Sequence, residues 1–186
     1  MHNQSPIKKI VVLGPESTGK STLCMQLANH YQAIDCEEYA RTYLHENGTK
    51  YNYEDLLTIA KGQIALEEAA ITKAKNEIQK NDHNKIIIDT DMYVMKVWSE
   101  YVFNNCHPFI LEQINSRKYD FYLLCNVDLP WAPDEMREYP DEKPRQELFS
   151  IYKDLLINQN TPWGIVSGIN QNRVKHAIQL IDAALA

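Results

Sequence analysis

No run of apolar residues in this chain approaches the roughly 20 that a membrane-spanning helix needs. The opening stretch from Met1 to Lys9 is polar and lacks the apolar core of a signal peptide. Cysteine is scarce: Cys24, Cys36, Cys106 and Cys125 form no CxxC pair and no metal-ligand spacing. Cys36 and Cys125 fall in apolar, strand-like runs and read as buried free thiols. The set fits a reducing, cytoplasmic setting better than a secreted disulfide framework. An excess of positive charge is also missing. The 19 Lys and Arg against 25 Asp and Glu leave a net charge of -6, which speaks against a nucleic-acid partner, because a phosphate backbone demands a basic surface. There is no repeat, no low-complexity stretch and no linker. What remains is a chain of 186 residues, 44% hydrophobic and 24% charged, long enough for one ordinary domain with a real core.

Strand-like and helix-like patterns alternate along that length. Strands are predicted at Lys8–Gly14, Gln32–Cys36, Lys85–Asp89, Tyr119–Cys125 and Trp163–Ser167. Helices are predicted at Lys20–Tyr31, Tyr39–His45, Tyr53–Lys80, Asp91–Phe103 and Pro108–Ser116, from Pro144 to about Asn158, and at Asn170–Ala186. The long third helix is expected to turn Leu57, Ala60, Ile64, Ile71, Ala74 and Ile78 to the core. Five strands alternating with helices imply an α/β fold, one parallel sheet with helices on both faces. The expectation is a single domain over residues 1–186, with the charged, proline-rich stretch 128–145 as a small lid. In such sheets ligands bind at the carboxyl ends of the strands, so the residues that follow each strand carry the functional reading.

After the first strand comes Gly14-Pro15-Glu16-Ser17-Thr18-Gly19-Lys20-Ser21, followed by Thr22. This fits G-x-x-x-x-G-K-[ST] between a strand and a helix, the context that confirms a phosphate-binding loop. Its backbone N–H groups form an anion nest, and the helix N-terminus adds partial positive charge. Lys20 is expected on the outer phosphates of ATP, and the Ser21 hydroxyl on Mg²⁺.

The other strand ends carry acids. After the second come Glu38, Tyr39 and Arg41. A rim carboxylate at Glu38 could take a proton from a substrate hydroxyl, with Arg41 one turn further on; the plain alternative is a solvated helix start, where acids are common. Asp89 closes a buried strand, as a Mg²⁺-positioning carboxylate does. Asp91 reads equally as a site residue or as a helix cap. Gln63, beside the helix-interrupting Gly62, could meet a base or amide, or simply pack. Trp98 reads as core or as a pocket wall. A lid that excludes water needs cations over the phosphoryl group; Arg137 and Arg145 suit that, although an ordinary charged surface loop would read the same way. Ser167 and Gly168, which end the last strand, and Arg173 beyond them stand where related folds hold adenine.

Together these pieces resemble the ribosylnicotinamide kinase domain of the NadR type, a branch of the P-loop nucleoside kinases. The resemblance runs from Ile10 onward. It rests on GPESTGKSTL at Gly14–Leu23, EYAR at Glu38–Arg41, the Gln63 region and DTD at Asp89–Asp91. KVWSE at Lys96–Glu100, DLPWAPDEMR at Asp128–Arg137, Arg145 and the Ser167, Gly168, Arg173 pattern complete it. The phosphate loop is shared with a large superfamily; the others in this order are far more specific. The resemblance implies the three-layer P-loop NTPase fold and ATP-dependent phosphorylation of nicotinamide riboside at its 5′-hydroxyl. It places Glu38, Tyr39, Arg41, Gln63, Asp91, Trp98 and Trp131 around a small-molecule nucleoside, with no nucleic-acid or membrane partner. Two departures stand out. Asp35-Cys36-Glu37 before EYAR lacks a proline associated with the family. The few residues before the first strand are too short for an adenylyltransferase or DNA-binding domain, so those activities are not expected here. Two other readings compete: a kinase of another nucleoside or nucleotide, of the thymidylate kinase kind, and an ATP-hydrolysing regulatory module.

Overall fold

The computed structural model describes residues 6–77, 84–132 and 141–186. β1 (Lys8–Leu13), β2 (Ile34–Cys36), β3 (Lys85–Asp89), β4 (Phe121–Cys125) and β5 (Trp163–Val166) form one sheet in the order β2-β3-β1-β4-β5. Every pairing is parallel; Val12 stands opposite Asp89, and Leu13 opposite Leu124. The helices are α1 (Lys20–Tyr31), α2 (Tyr39–Asn47), α3 (Tyr53–Glu77), α4 (Met92–Phe103), α5 (Pro108–Ser116), α6 (Glu142–Ile157) and α7 (Asn170–Leu185).

Because the sheet is covered on both faces, its strands are apolar without alternation. On one face Ile10, Val12, Ile87 and Leu123 meet α1 and α7 through Leu23, Leu27, Val174 and Ile181. On the other, Val11, Leu13, Ile88 and Leu124 meet α3, α4 and α6 through Ala74, Val97, Leu148 and Tyr152. A third, helix-only core joins α2, α3, α4 and α5 through Ala40, Ile59, Met95 and Ile110. This is the three-layer P-loop architecture. The cysteines are free thiols, three of them buried. No helix among the described residues is long and apolar enough to cross a membrane.

Boundaries shift where a local force outweighs the pattern. Gln32 does not begin β2: at φ 50 it is the left-handed C-cap of α1, donating its N–H to the Ala28 carbonyl. Helix α6 begins at Glu142 rather than Pro144, and Pro144 sits in its first turn, where a missing N–H costs no hydrogen bond. The buried face of α3 shares Ala60 and Ala74 with the expected one and otherwise differs from it. It runs through Leu56, Ile59, Ala60, Gln63, Glu67, Ala70 and Ala74, while Leu57, Ile64 and Ile71 are only half-buried and Ile78 lies outside the described residues. An apolar count misses this face because two polar side chains occupy its centre. Glu67, 1% exposed, is charge-paired with Arg117 at 3.0 Å and Lys9 at 3.6 Å, and accepts a hydrogen bond from the Tyr119 hydroxyl at 2.9 Å. A buried carboxylate is tolerable only with such partners.

Candidate active site

The loop between β1 and α1 is built against the end of β4. Gly14 has φ +142, and a Cβ there would lie 3.0 Å from the Cys125 carbonyl oxygen and 3.2 Å from its Cβ. No side chain fits, and few would adopt that angle. Thr18 is fully buried, and its hydroxyl donates to the Pro15 carbonyl at 2.7 Å; the Lys20 ammonium donates to the same oxygen at 3.1 Å. The first turn of α1 holds no acidic residue, so the positive end of its dipole is left for an anion.

A cavity of about 380 Å³ opens over this loop. Its floor is the backbone of Gly14 to Thr22, apart from the buried Thr18, with Glu16, Ser17, Lys20 and Ser21 lining it. Glu38 and Arg41 stand across from the loop, where β2 gives way to α2. The far wall is aromatic: Trp98 and Tyr101 from α4, Tyr152 from α6 and Tyr51 from the turn before α3. The Trp98 indole N–H donates to the Tyr51 hydroxyl at 2.8 Å, with the rings edge to face at 4.9 Å.

The acids separate by what their side chains do. Glu38 occupies the N-cap position of α2 but makes no capping bond; it faces the cavity instead. Burial pushes its carboxyl above the usual range, the Asp89 charge adds to that, and Lys20 and Arg41 oppose it. Asp89, 2% exposed, is likewise raised by burial, against Lys20, Ser21 and Arg41. Its Oδ1 receives no hydrogen bond from the described residues. Asp91 is a cap: it accepts from the Tyr93 N–H at 3.0 Å and from the Tyr122 hydroxyl at 3.1 Å. Burial raises it to about 7. Thr90 between them has φ 77, a left-handed angle that costs a β-branched residue about 1–3 kcal/mol.

Several expected site residues lie away from the cavity wall. Gln63 is 1% exposed and its amide is fully engaged with backbone: it accepts from Tyr39 N–H at 2.8 Å and donates to the carbonyls of Glu37 at 3.3 Å and Asp89 at 3.5 Å. It ties the ends of β2 and β3 together and has no free group for a base. The Tyr39 ring lies against Gly62, where an added Cβ would come within 2.0 Å of it; this close approach explains the glycine. Asp91 is turned inward as described. Trp131 does not line the cavity, and its buried indole N–H has no hydrogen-bond partner among the described residues. Arg145, 4% exposed, donates through one terminal nitrogen to the carbonyls of Ser17 at 3.3 Å and Leu129 at 3.1 Å; that arm braces the loop backbone, and the residue does not line the cavity. Arg173, also 4% exposed, engages both terminal nitrogens with Asp128 and backbone carbonyls and does not line the cavity. Ser167 accepts from the Asn126 amide, and the Gly168 N–H donates to Asp128 at 2.6 Å. Arg137 lies outside the described residues, as does the centre of the expected lid.

Sequence reasoning missed Tyr51, Tyr101, Tyr152, Leu44 and Leu148 in the wall. For three of them a signal was present. Val94, Trp98 and Tyr101 recur at helical spacing on α4, and Leu148 and Tyr152 do so on α6. Tyr51 comes from a turn, where no periodicity announces it.

With this geometry in place, comparison with known proteins gives a consistent pattern. The profile of the AAA domain family matches residues 9–173. The chain is 28% identical over 159 residues to the trifunctional NAD biosynthesis/regulator protein NadR of Escherichia coli (strain K12). The alignment covers 83% of this chain and 37% of that protein; the chain spans well under half the length of the curated relatives it matches. Among solved structures, the crystal structure of NadR protein in complex with NR superposes with a TM-score of 0.73 at 22% identity, over 96% of this chain and 50% of that one. The deoxyadenosine kinase from M. mycoides with bound dATP gives a TM-score of 0.62 at 14% identity, over 94% and 99%. The likeness to NadR first drawn from the motifs is thus found again over most of the chain.

Proposed function

We propose that this chain, which belongs to the AAA domain family and carries its phosphate-binding loop, is an ATP-dependent nucleoside kinase that phosphorylates the 5′-hydroxyl of nicotinamide riboside. The observation that carries the proposal is the shared cavity: the phosphate loop, the uncapped Glu38 and an aromatic wall face one space of about 380 Å³, a volume suited to a small ligand.

The roles follow from position. The loop N–H groups and Lys20 hold the ATP phosphates, and Lys20 exchanges its bond to Pro15 for the outer phosphates. Glu38 orients the attacking 5′-hydroxyl and accepts its proton as the phosphoryl group transfers. Its raised affinity for protons suits that task. Arg41 stands beside it as a counter-charge for carboxylate or phosphate. Mg²⁺ fits beside Ser21 and Asp89, where the buried Asp89 Oδ1 lacks a donor among the described residues; when bound it supplies charge neutralisation between the phosphates. Arg137 is assigned to cover the transferring group from a lid at 128–145. Ser167 and Gly168 are assigned to the adenine end of the nucleotide. The aromatic wall selects the nucleoside: nicotinamide riboside carries a positive pyridinium ring, and a cation over an aromatic face gains about 0.5–2 kcal/mol. Pyrimidine nucleosides are neutral and gain nothing from that term.

The test is product formation from nicotinamide riboside, thymidine, uridine and thymidylate at matched concentration with ATP and Mg²⁺. Preference for nicotinamide riboside is expected. Equal or better turnover of thymidine, uridine or thymidylate would overturn the substrate assignment and favour a kinase of the thymidylate type. ATP hydrolysis without transfer to any nucleoside would favour a regulatory module.

A further inference from the structure

Arg173 was expected to touch the nucleotide, yet its guanidinium is buried behind the phosphate loop and all of its terminal nitrogen donors are engaged. Nη1 donates to Asp128 Oδ1 at 2.7 Å and to the Gly168 carbonyl at 3.1 Å; Nη2 donates to the Thr18 carbonyl at 2.9 Å and to the Asn126 carbonyl at 3.4 Å. Asp128 completes the clamp by accepting from the Gly168 N–H at 2.6 Å through its other oxygen. One side chain thus joins the phosphate loop to the loops that follow β4 and β5.

The bond to Thr18 has a geometric consequence. A trans peptide is planar, and its C=O and N–H point in opposite directions. Fixing the Thr18 carbonyl on Arg173 turns the Gly19 N–H away from the arginine. Gly19 lines the cavity and Arg173 does not, so that N–H is presented on the ligand side. Gly19 also holds φ 75 at the start of α1, an angle at which peptide orientation is not set by ordinary backbone preference.

We infer that the Asp128–Arg173 pair is a positioning device of the nucleotide site, which sets the Thr18–Gly19 peptide so that the phosphate nest exists before ATP arrives. The inference rests on the reading of the loop as an ATP site and is independent of which nucleoside is phosphorylated. Asp128 holds Arg173 and does not line the cavity. A lysine cannot replace the arginine, because an ammonium lacks the planar fork that reaches four acceptors at once.

The experiment measures equilibrium binding of ATP, of inorganic tripolyphosphate and of nicotinamide riboside to the full chain and to Asp128→Asn, with a thermal melt of each. Asp128→Asn keeps the shape and removes one charge-assisted hydrogen bond, so ATP and tripolyphosphate should both weaken by about tenfold. Nicotinamide riboside should stay within twofold. Arg173→Lys should show the same split and serves if Asp128→Asn does not fold. A lowered melting temperature with unchanged ATP and tripolyphosphate affinity would reduce the pair to a structural brace and overturn the inference. So would an equal loss for all three ligands. Wild-type protein that binds neither ATP nor tripolyphosphate would remove the site on which the inference stands, whereas failure to bind nicotinamide riboside alone would refute only the substrate reading.

Discussion

Exchanging Glu38 for glutamine tests the chemistry most directly, because three acids, Glu38, Asp89 and Asp91, stand at the carboxyl ends of neighbouring strands β2 and β3 or just beyond them, and only one should act as the base. Glu38→Gln preserves the shape of the side chain and removes its charge and basicity. The carboxylate makes no capping bond to α2, so no helix contact is lost and the melting temperature should hold. Proton transfer by a placed group is worth about 10²–10⁴ in rate, and kcat should fall by that factor, with little change in the Michaelis constant for ATP. Asp91→Asn is the contrasting substitution. Asp91 supports the first turn of α4 and the Tyr122 hydroxyl; asparagine caps a helix about as well as aspartate, and the usual cost of a lost cap, roughly 0.5–2 kcal/mol, belongs to alanine, so Asp91→Asn should keep the helix start while kcat falls only a few-fold. The two also separate by pH. The folded carboxyl of Asp91 is raised to about 7 from its ordinary 3.8. The folded state therefore holds a proton that the unfolded state has released between those values, and stability falls as pH rises across that window. Asp91→Asn should remove this component from a series of melting temperatures between pH 4 and pH 7. Steady-state kinetics and melts on the two variants decide the matter. A loss of less than a few-fold in kcat for Glu38→Gln, together with abolished turnover in Asp91→Asn, would show that the base was assigned to the wrong acid.

Further expectations follow from single contacts. Lys20→Ala should lower turnover by at least about 10²–10³, the scale for loss of one transition-state donor, with an unchanged melt; unchanged turnover would sink the mechanism. Gly62→Ala places a methyl group 2.0 Å from the Tyr39 ring, an overpacking cost of about 1–3 kcal/mol against a helix-propensity gain of roughly 1 kcal/mol, so the melting temperature should drop by a few degrees; a rise would mean that the ring gives way freely. Trp98→Ala should reduce the preference for nicotinamide riboside over uridine, measured as a ratio of kcat/KM, by about 2- to 30-fold, the range set by a cation over an aromatic ring; an unchanged ratio would remove Trp98 from the recognition surface. Arg137→Ala should lower kcat more than it raises the Michaelis constant for ATP, as loss of a transition-state contact does; a change in the Michaelis constant alone would count against its lid role.

The fold and the phosphate loop were legible because each rests on local rules. Buried parallel strands read as apolar runs, the glycines of the loop stand where side chains cannot, and Pro108, with the His107 ring accepting the Phe109 N–H, marks the start of α5 as clearly in the sequence as in the structure. The cavity wall was only half legible. Trp98 was singled out, but Tyr101 and Tyr152 share helix faces with residues that also build the core, and aromatic residues at helical spacing look the same whether they line a cavity or fill one. Tyr51 has no neighbour in sequence that hints at its role. The buried polar groups were the least legible. Gln63 and Glu67 lie on the inward face of α3, and a count of apolar residues rotates that face away from its true position.

The same limit explains the arginines. Sequence reading sends a cation near a phosphate loop toward the phosphate, because charge complementarity is the strongest term it can see. Arg145, read that way, and Arg173, read toward the adenine end of the nucleotide, donate instead to carbonyls: Ser17 and Leu129 for the first, and Thr18, Asn126 and Gly168 for the second. The physical reason is a requirement of the loop itself. A nest that turns its N–H groups toward an anion must turn carbonyls the other way, and those oxygens, once buried, need donors of their own. A guanidinium is suited to the task, since it supplies several donors from one side chain and stays charged. Anion binding therefore places two demands on the surrounding chain, one on the ligand side and one behind it. Lys20 stands on the first side and lines the cavity; Arg173 stands on the second. Residue type alone cannot tell these roles apart, because both call for a cation within a few residues of a strand end. The peptide plane between Thr18 and Gly19 is what connects them, so a change behind the loop should be read out in front of it.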